Sequence, residues 1–168
     1  MRMFMTLSEL NALDRPAFVD RLGGIFEHSP WVAERVFAQR PFPTLAELHE
    51  AMVNVVTAAS DDERLALLKA HPDLGTRAPM NGASAGEQQR AGLDRLSSSD
   101  LERVERLNAE YRKTFGFPFI LAVKDRSVQD VLAALESRSR SSKSEERAEA
   151  LRQVCRIAKF RLYDVLGE

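Results

Sequence analysis

The stretch SSSDLERVERLNAEYRKTFGFPFILAV, residues 97–123, decides the fold of this 168-residue chain. After the Ser-rich turn, apolar residues recur every three or four positions, which predicts a helix from about Asp100 to Phe115. Gly116 suits the end of that helix, because glycine adopts the left-handed conformation without steric cost. The apolar run FPFILAV, residues 117–123, follows. A short buried strand is one alternative for this run. Because no partner strand is visible, we expect a buried extended segment instead.

Helix-start signals recur along the rest of the chain. Several have the capping-box spacing, in which Ser or Thr precedes Glu by three residues. These pairs are Thr6–Glu9, Thr44–Glu47, Ser60–Glu63 and Ser84–Glu87. Asp14 and the dipeptide Ser29-Pro30 mark two further helix starts.

The C-terminal part continues the helical pattern. Residues 128–136 and about 145–166 are predicted helices, while the Ser-rich stretch 137–144 is predicted to be a mobile surface loop. HPDLGTRAPMNGA, residues 71–83, contains two prolines and two glycines and is a predicted loop. We therefore predict an all-α, single-domain bundle of about eight helices over residues 1–168, with no significant sheet.

Composition excludes several functional classes. The formal net charge is −1, whereas nucleic-acid and anionic-membrane partners need a strong basic excess. No run of about twenty apolar residues predicts a membrane span. The first residues contain one basic residue and a very short apolar stretch, so we expect no signal peptide. The last residues carry no SKL-type peroxisomal address. The single cysteine, Cys155, is expected to pack in the core, and a reducing cytoplasm fits this composition.

His71, in the motif HPDLG, is the best local candidate for catalysis. It lies between a predicted helix end and a proline, where we expect a rigid backbone that solvent can reach. Its unperturbed pKa of roughly 6.5 suits proton transfer near neutral pH. The alternative is structural, because a histidine here could simply cap the carbonyl groups of the preceding helix.

Glu87 and Gln88 form the second candidate group. Glu87 occupies the last position of a capping box, so its role could be limited to tying down a helix start. A carboxylate in the first turn of a helix is also favoured in its ionised form, and it could orient an imidazole or accept a substrate N–H. Gln88 offers both a donor and an acceptor to an amide-like ligand.

Arg161 lies on the apolar side of the last helix. An arginine there needs an anionic partner or a route to solvent, so extension of the side chain to the surface is the structural alternative. The functional reading is a planar fork that grips a carboxylate or a ureido carbonyl. The three histidines have no zinc-ligand spacing, and no nucleotide-binding or serine-hydrolase motif is present.

Taken together, these segments resemble the OHCU decarboxylase family (2-oxo-4-hydroxy-4-carboxy-5-ureidoimidazoline decarboxylases). The matching stretches cover nearly the whole chain. They are HSPWVAERV with RPF (28–42), AHPDLGTRA (70–78), SAGEQQRAGL (84–93), LNAEYRKTFGFPFILAV (107–123) and RIAKFRLYDVL (156–166).

The resemblance implies an all-α homodimer that converts the small molecule OHCU to (S)-allantoin with loss of CO₂. It identifies His71 as the catalytic histidine, Glu87 as the essential acid and Arg161 as a substrate-binding arginine, with Arg156 as the alternative for Arg161. The implied pocket lining is Pro72, Ser84, Gln88, Phe119 and Ile120. The ring C=N of OHCU can accept the electron pair of decarboxylation, so we expect no metal or cofactor.

Three rival functions remain open. A non-enzymatic helical interaction domain would use the same core and present the HPDLG loop to a partner. A related enzyme could act on another ureido or imidazoline compound. A metal-dependent amidohydrolase is the most distant alternative, and retained activity after chelation would dismiss it.

Overall fold

The computed structural model describes residues 4–75 and 82–167. Within those residues the chain forms nine α-helices, one 3-10 helix (Phe37–Gln39) and no strand, so the all-α prediction is confirmed. The helices are α1 (Leu7–Asn11), α2 (Arg15–Leu22), α3 (Trp31–Val36), α4 (Leu45–Ala58), α5 (Asp61–Ala70), α6 (Gly82–Arg90), α7 (Ser98–Phe115), α8 (Val128–Arg138) and α9 (Lys143–Leu166). None of the described helices is long and apolar enough to cross a membrane.

Local sequence sets most helix starts. Thr6 and Glu9 form a complete capping box at α1, and the Asp14 side chain accepts from the N–H of Ala17 at α2. The side chains of Thr44 and Ser60 accept in the same way at the starts of α4 and α5. These four predicted starts are confirmed, because each capping bond joins residues only three positions apart.

The predicted helix start at Ser84 is wrong. Helix α6 already includes Gly82 and Ala83, so Ser84 lies inside the helix and Glu87 lies beyond its first turn. Ser84 and Gln88, four residues apart, are both buried, and burial of this face overrides the local capping signal. Of the predicted loop 71–83, residues 71–75 are non-helical, and residues 76–81 lie outside the described residues.

The chain divides into two compact units. The first unit comprises the described residues of Met1–Leu67 and Cys155–Glu168, and the second comprises the described residues of Leu68–Val154. In the first unit, α3 packs against α2 and α4, and the rings of Phe18 and Phe37 meet edge to face at 5.3 Å. In the second unit, α7 packs against α8. The predicted single domain over residues 1–168 stays a prediction.

Two predictions concern the segments beside α8. Residues 117–123 are buried and form neither helix nor strand, as expected for an extended segment. The predicted surface loop 137–144 is wrong in extent, because α8 continues to Arg138 and α9 begins at Lys143. Arg138 is only 12% exposed, since its guanidinium pairs with the buried Glu146. The serine-rich composition of residues 137–144 did not indicate that Arg138 has a buried carboxylate as its partner.

Candidate active site

His71 directly follows the end of α5. Its main-chain N–H donates to the carbonyl oxygen of Leu68 at 3.3 Å and so ends the helix. The residue is 6% exposed, which contradicts the expectation that solvent reaches it easily. Pro72 is half-buried. The imidazole therefore lies in a mostly dry environment, where electrostatic interactions are stronger than in water.

Gln88 of α6 holds the loop that follows Pro72. Its Oε1 accepts from the N–H of Gly75 at 2.8 Å, and its Nε2 donates to the carbonyl oxygen of Asp73 at 3.3 Å. One buried amide thus bridges two residues of the loop. Gln88 is predicted to line the substrate pocket, and these bonds give it a positioning role as well.

Two residues of α7 also bind this loop, and no role was predicted for either of them from the sequence. Together with Gln88 they form what we call the clamp. Asn108 Nδ2 donates to the carbonyl oxygen of Leu74 at 2.9 Å, and the Arg112 guanidinium binds the Asp73 carboxylate at 2.8 Å. They are four residues apart and therefore share one face of the helix. The available signal was a polar residue, Asn108, embedded in the apolar stripe of α7.

Gly75 is the last described residue of the clamped loop, and a side chain at its position would be strained. Its φ is +73°, in the left-handed region that side chains disfavour. A Cβ atom there would come within 3.1 Å of both Leu96 and Val104. The glycine therefore lets the loop pass close to α7.

Ser84 and Glu87 lie on α6 beside Gln88. Ser84 is buried and Glu87 is half-buried. Because Glu87 lies beyond the first turn, a helix-start capping role does not account for it. For the same reason, the prediction that the first turn of the helix stabilises the charge of Glu87 is wrong.

Phe119 and Ile120 lie in the extended segment 117–123, and both are almost fully buried. Side chains bind the main chain of this segment. Arg138 donates to the carbonyl oxygen of Ile120 at 2.5 Å, and Gln153 Oε1 accepts from the N–H of Ala122 at 3.0 Å. The N–H groups of Phe119 and Ile120 donate to no acceptor among the described residues.

Arg161 lies in the first unit, where it is 4% exposed. Its guanidinium pairs with the fully buried Glu27 at 3.0 Å and also donates to the carbonyl oxygens of Gly24 and Ile25. The alternative of extension to solvent is wrong, because the anionic partner lies inside the fold. Arg156 is exposed, with its guanidinium carbon 5.9 Å from the Phe160 ring centroid.

The predicted site residues divide between the two units. All but one lie in the second unit: His71, Pro72, Ser84, Glu87, Gln88, Phe119 and Ile120. Arg161 lies in the first unit.

Two further observations concern metal ligands and the cysteine thiol. Among the described residues, no group of three or more His, Cys, Asp or Glu side chains is arranged to hold a metal ion. Burial raises the pKa of the Cys155 thiol to about 11. A thiol protonated at neutral pH is a poor nucleophile, in keeping with the predicted packing role.

This chain is similar over most of its length to proteins of known name or structure. The 2-oxo-4-hydroxy-4-carboxy-5-ureidoimidazoline decarboxylase of Haloferax volcanii is 50% identical over 158 residues, which cover 94% of each chain. The uric acid degradation bifunctional protein PucL of Bacillus subtilis is 46% identical over 97% of this chain, which spans 33% of that protein. A crystal structure of (S)-allantoin synthase matches with a TM-score of 0.80 and 36% identity. That match covers 96% of this chain and 54% of the solved one.

A family model gives the same result over a defined range. The model of OHCU decarboxylase matches residues 11–163 and so includes all eight predicted site residues. With most of the chain matched, and with half of its residues identical to those of a relative of similar length, the chain belongs to the OHCU decarboxylase family.

Proposed function

We propose that this chain is a carboxy-lyase that converts OHCU to (S)-allantoin in urate breakdown. The observation that carries the proposal is the 50% identity to the H. volcanii decarboxylase over nearly the full length of both chains. The clamped loop after His71 supports it, because a catalytic imidazole needs a backbone that holds its position.

The proposed chemistry uses the substrate as its own electron sink. The bond from the ring carbon to the carboxylate breaks, and its electron pair forms a C=C bond to the neighbouring ring carbon. The electrons of the C=N bond move to the ring nitrogen, which takes up a proton. The resulting enol loses its hydroxyl proton, and the neighbouring carbon gains a proton on one face. In total, one carboxylate leaves as CO₂ and one proton is taken from solvent.

His71 is proposed to hydrogen-bond the 4-hydroxyl group and to accept its proton. Burial of this imidazole keeps competing water away from the reacting atoms. Gln88, Asn108 and Arg112 hold the following residues and so limit the movement of His71. General base catalysis of this kind contributes about 10²–10⁴-fold to a rate.

The other residues of the second unit are proposed to bind the substrate. Glu87 accepts from ring or ureido N–H groups, and Pro72, Ser84 and Gln88 line the pocket beside it. The main-chain N–H groups of Phe119 and Ile120 are proposed to donate to substrate carbonyl oxygens. The apolar side chains of this segment favour release of neutral CO₂ from a charged carboxylate.

The decisive assay generates OHCU from urate in situ and follows optically active allantoin by circular dichroism. His71→Asn is expected to keep the fold and to lose most of the rate. His28→Asn is the exposed control, because His28 is 62% exposed and its φ of +46° suits asparagine; since the His28 imidazole lies 3.7 Å from Glu27, the Tm of this variant is measured beside its turnover. Near-normal turnover by His71→Asn would contradict the catalytic role. Absence of turnover by the unmodified chain would contradict the function.

Glu87→Gln tests the carboxylate separately. The amide has nearly the same size but loses the charge that would bind N–H groups, so we expect lower kcat/KM with unchanged thermal stability. Retained turnover with a lower Tm would instead assign Glu87 to structure alone.

Arg161→Lys tests the proposed substrate-binding arginine. Lysine keeps the charge but loses the bidentate fork, so we expect a higher KM for OHCU. Arg156→Lys is the matched control on the same helix, and we expect its kinetics to be unchanged. The opposite pattern would transfer the role to Arg156.

We also propose that the chain acts as a single-domain homodimer in the cytoplasm. The family resemblance supports the dimer, and the single cysteine fits a reducing compartment. Light scattering during gel filtration is expected to give twice the chain mass of 18.9 kDa. One cooperative thermal transition is expected for a single domain.

A further inference from the structure

The segment Phe117–Val123 cannot satisfy its own main-chain groups. It is buried along its length and belongs to neither a helix nor a sheet. Buried polar groups of the backbone need partners, and side chains supply three of those found in this segment: Arg126, Arg138 and Gln153. Arg138, whose side chain is 12% exposed, binds the carbonyl oxygen of Ile120 at 2.5 Å.

Arg138 contacts both pocket residues of this segment. Besides the bond to Ile120, its guanidinium carbon lies 4.6 Å from the centroid of the Phe119 ring. A planar guanidinium that stacks on a ring and donates to the adjacent carbonyl restricts two neighbouring residues at once. The orientation of the Phe119 ring and of the peptide after Ile120 is therefore tied to Arg138.

Two further side chains hold Arg138 in place. The Glu146 carboxylate of α9 accepts from Arg138 Nε at 2.7 Å and pairs with its Nη2. The Tyr111 hydroxyl of α7 donates to the same carboxylate oxygen at 2.5 Å. Burial and the neighbouring carboxylate raise the pKa of Tyr111 far above its usual value, so the hydroxyl remains a donor.

A second ion pair, which joins α7 to α8, serves as a reference. Arg103 of α7 pairs with Glu136 of α8, and both side chains are more than one-third exposed. Glu136 is only two residues before Arg138. Within the described residues, no hydrogen bond or ion pair joins Arg103 or Glu136 to the segment 117–123. Variants at the two pairs can therefore distinguish the effect of losing an ion pair from the effect of losing contact with the segment 117–123.

We propose that Arg138, held by Glu146 and Tyr111, is the positioning residue that sets the geometry of the substrate-binding segment at Phe119 and Ile120. The proposal rests on the proposed OHCU decarboxylase function. Arg138 acts through the segment and does not itself contact the substrate. Its charge and planar shape are both required, because the carboxylate, the carbonyl and the ring use different parts of the guanidinium.

The test compares Arg138→Lys with Glu136→Gln in the optical allantoin assay. Lysine preserves the charge opposite Glu146 but cannot reproduce the stacked fork. We expect kcat/KM to fall at least about tenfold, mainly through a higher KM, with the shape of the pH profile unchanged. Glu136→Gln is expected to keep the parent values, because exposed pairs contribute little.

A second measurement does not depend on turnover. Amide hydrogen exchange over residues 117–123 is expected to speed up in Arg138→Lys and to stay at the parent rate in Glu136→Gln. Tyr111→Phe, which keeps the arginine, provides a gentler variant and is expected to shift KM in the same direction by less. If Arg138→Lys folds poorly, Tyr111→Phe decides by this KM shift.

The outcomes separate the two proposals. Unchanged KM and unchanged exchange in Arg138→Lys, with an active parent, would overturn the positioning role alone. A lower Tm with parent kinetics would likewise reduce Arg138 to a structural residue. An inactive parent chain would overturn the proposed function and, with it, the positioning role.

Discussion

Each of the two units pairs one arginine with a buried glutamate, and the two pairs differ in how far the arginine is exposed to solvent. In the first unit, Arg161 pairs with Glu27 and donates to two carbonyl oxygens between α2 and α3. In the second, Arg138 pairs with Glu146 and donates to a carbonyl oxygen between α7 and α8. Here a tyrosine hydroxyl also binds the glutamate.

In both units, the guanidinium of a mostly buried arginine binds the main chain of an irregular segment and so restricts its conformation. Both pairs combine a charge that needs compensation with carbonyl groups that need donors. Glu146 also gains a neutral donor, Tyr111, which lessens the dependence of the carboxylate on Arg138. Arg161 is 4% exposed and Arg138 is 12% exposed, so the pair of Arg161 with Glu27 lies farther from solvent and should be the more sensitive one.

The largest effect is expected for Glu27→Ala. It leaves the Arg161 guanidinium buried without its carboxylate, which costs about 3–5 kcal/mol of the free energy of unfolding. Urea unfolding followed by circular dichroism measures this loss. Glu136→Ala is the control, because it removes a carboxylate from the exposed Arg103–Glu136 pair. Equal losses in the two variants would break the distinction between buried and exposed pairs.

A smaller loss is expected for Tyr111→Phe. The change removes one hydrogen bond to a charged group and leaves Arg138 opposite Glu146, so unfolding should become easier by about 1.5–3 kcal/mol. The half-buried Tyr163 has no described hydroxyl partner, so Tyr163→Phe serves as the control. A loss as large as that of Glu27→Ala would show that the tyrosine, rather than the arginine, stabilises Glu146.

The same tyrosine predicts a pH dependence. The folded-state pKa of Tyr111 is raised, so its contribution is complete below the unfolded pKa of about 10. Above that pH the unfolded state loses the proton first. The free energy of unfolding should then fall, with a slope that approaches about 1.4 kcal/mol per pH unit as the unfolded-state hydroxyl becomes fully ionised. Urea titrations between pH 10 and 11 should show this increasing slope in the parent chain. An equally steep slope in Tyr111→Phe would assign it to other groups.

The smallest effect is expected at the exposed pair of the clamped loop. Arg112 and Asp73 are 48% and 33% exposed, so Arg112→Met should cost less than about 1 kcal/mol of stability. The same change should lower kcat for OHCU, because the loop after His71 loses one of its restraints. Lys113→Met, one residue further along α7, is the control. Parent-like kcat in Arg112→Met would leave Gln88 and Asn108 as the effective clamp.

Much of the fold was predictable because its signals are local. The starts of α1, α2, α4 and α5 each depend on a side chain that bonds a main-chain group three residues away. The end of α7 at Gly116 depends on one glycine with a φ of +82°. The extended course of residues 117–123 followed from an apolar run without a partner strand. Family membership was also predictable, since the matching motifs retain their order and spacing.

The failed predictions share a different physical cause. Ser84–Glu87 has a valid capping-box spacing, yet burial of Ser84 and Gln88 places it inside α6. Arg138 occupies a serine-rich stretch that is typical of a surface loop, yet it contacts Ile120 and Glu146. In both cases a distant element supplies the deciding contact.

By itself, the sequence determined the helical class, most helix boundaries and the family, because capping, glycine conformation and motif order act within short stretches. Only the tertiary structure decided that Glu27 compensates Arg161, that Gln88 and Asn108 hold the loop after His71, and that Arg138 binds the main chain of the buried segment 117–123. Buried charges and unpaired main-chain groups need partners in space, and no local pattern names the residue that folding will bring to them.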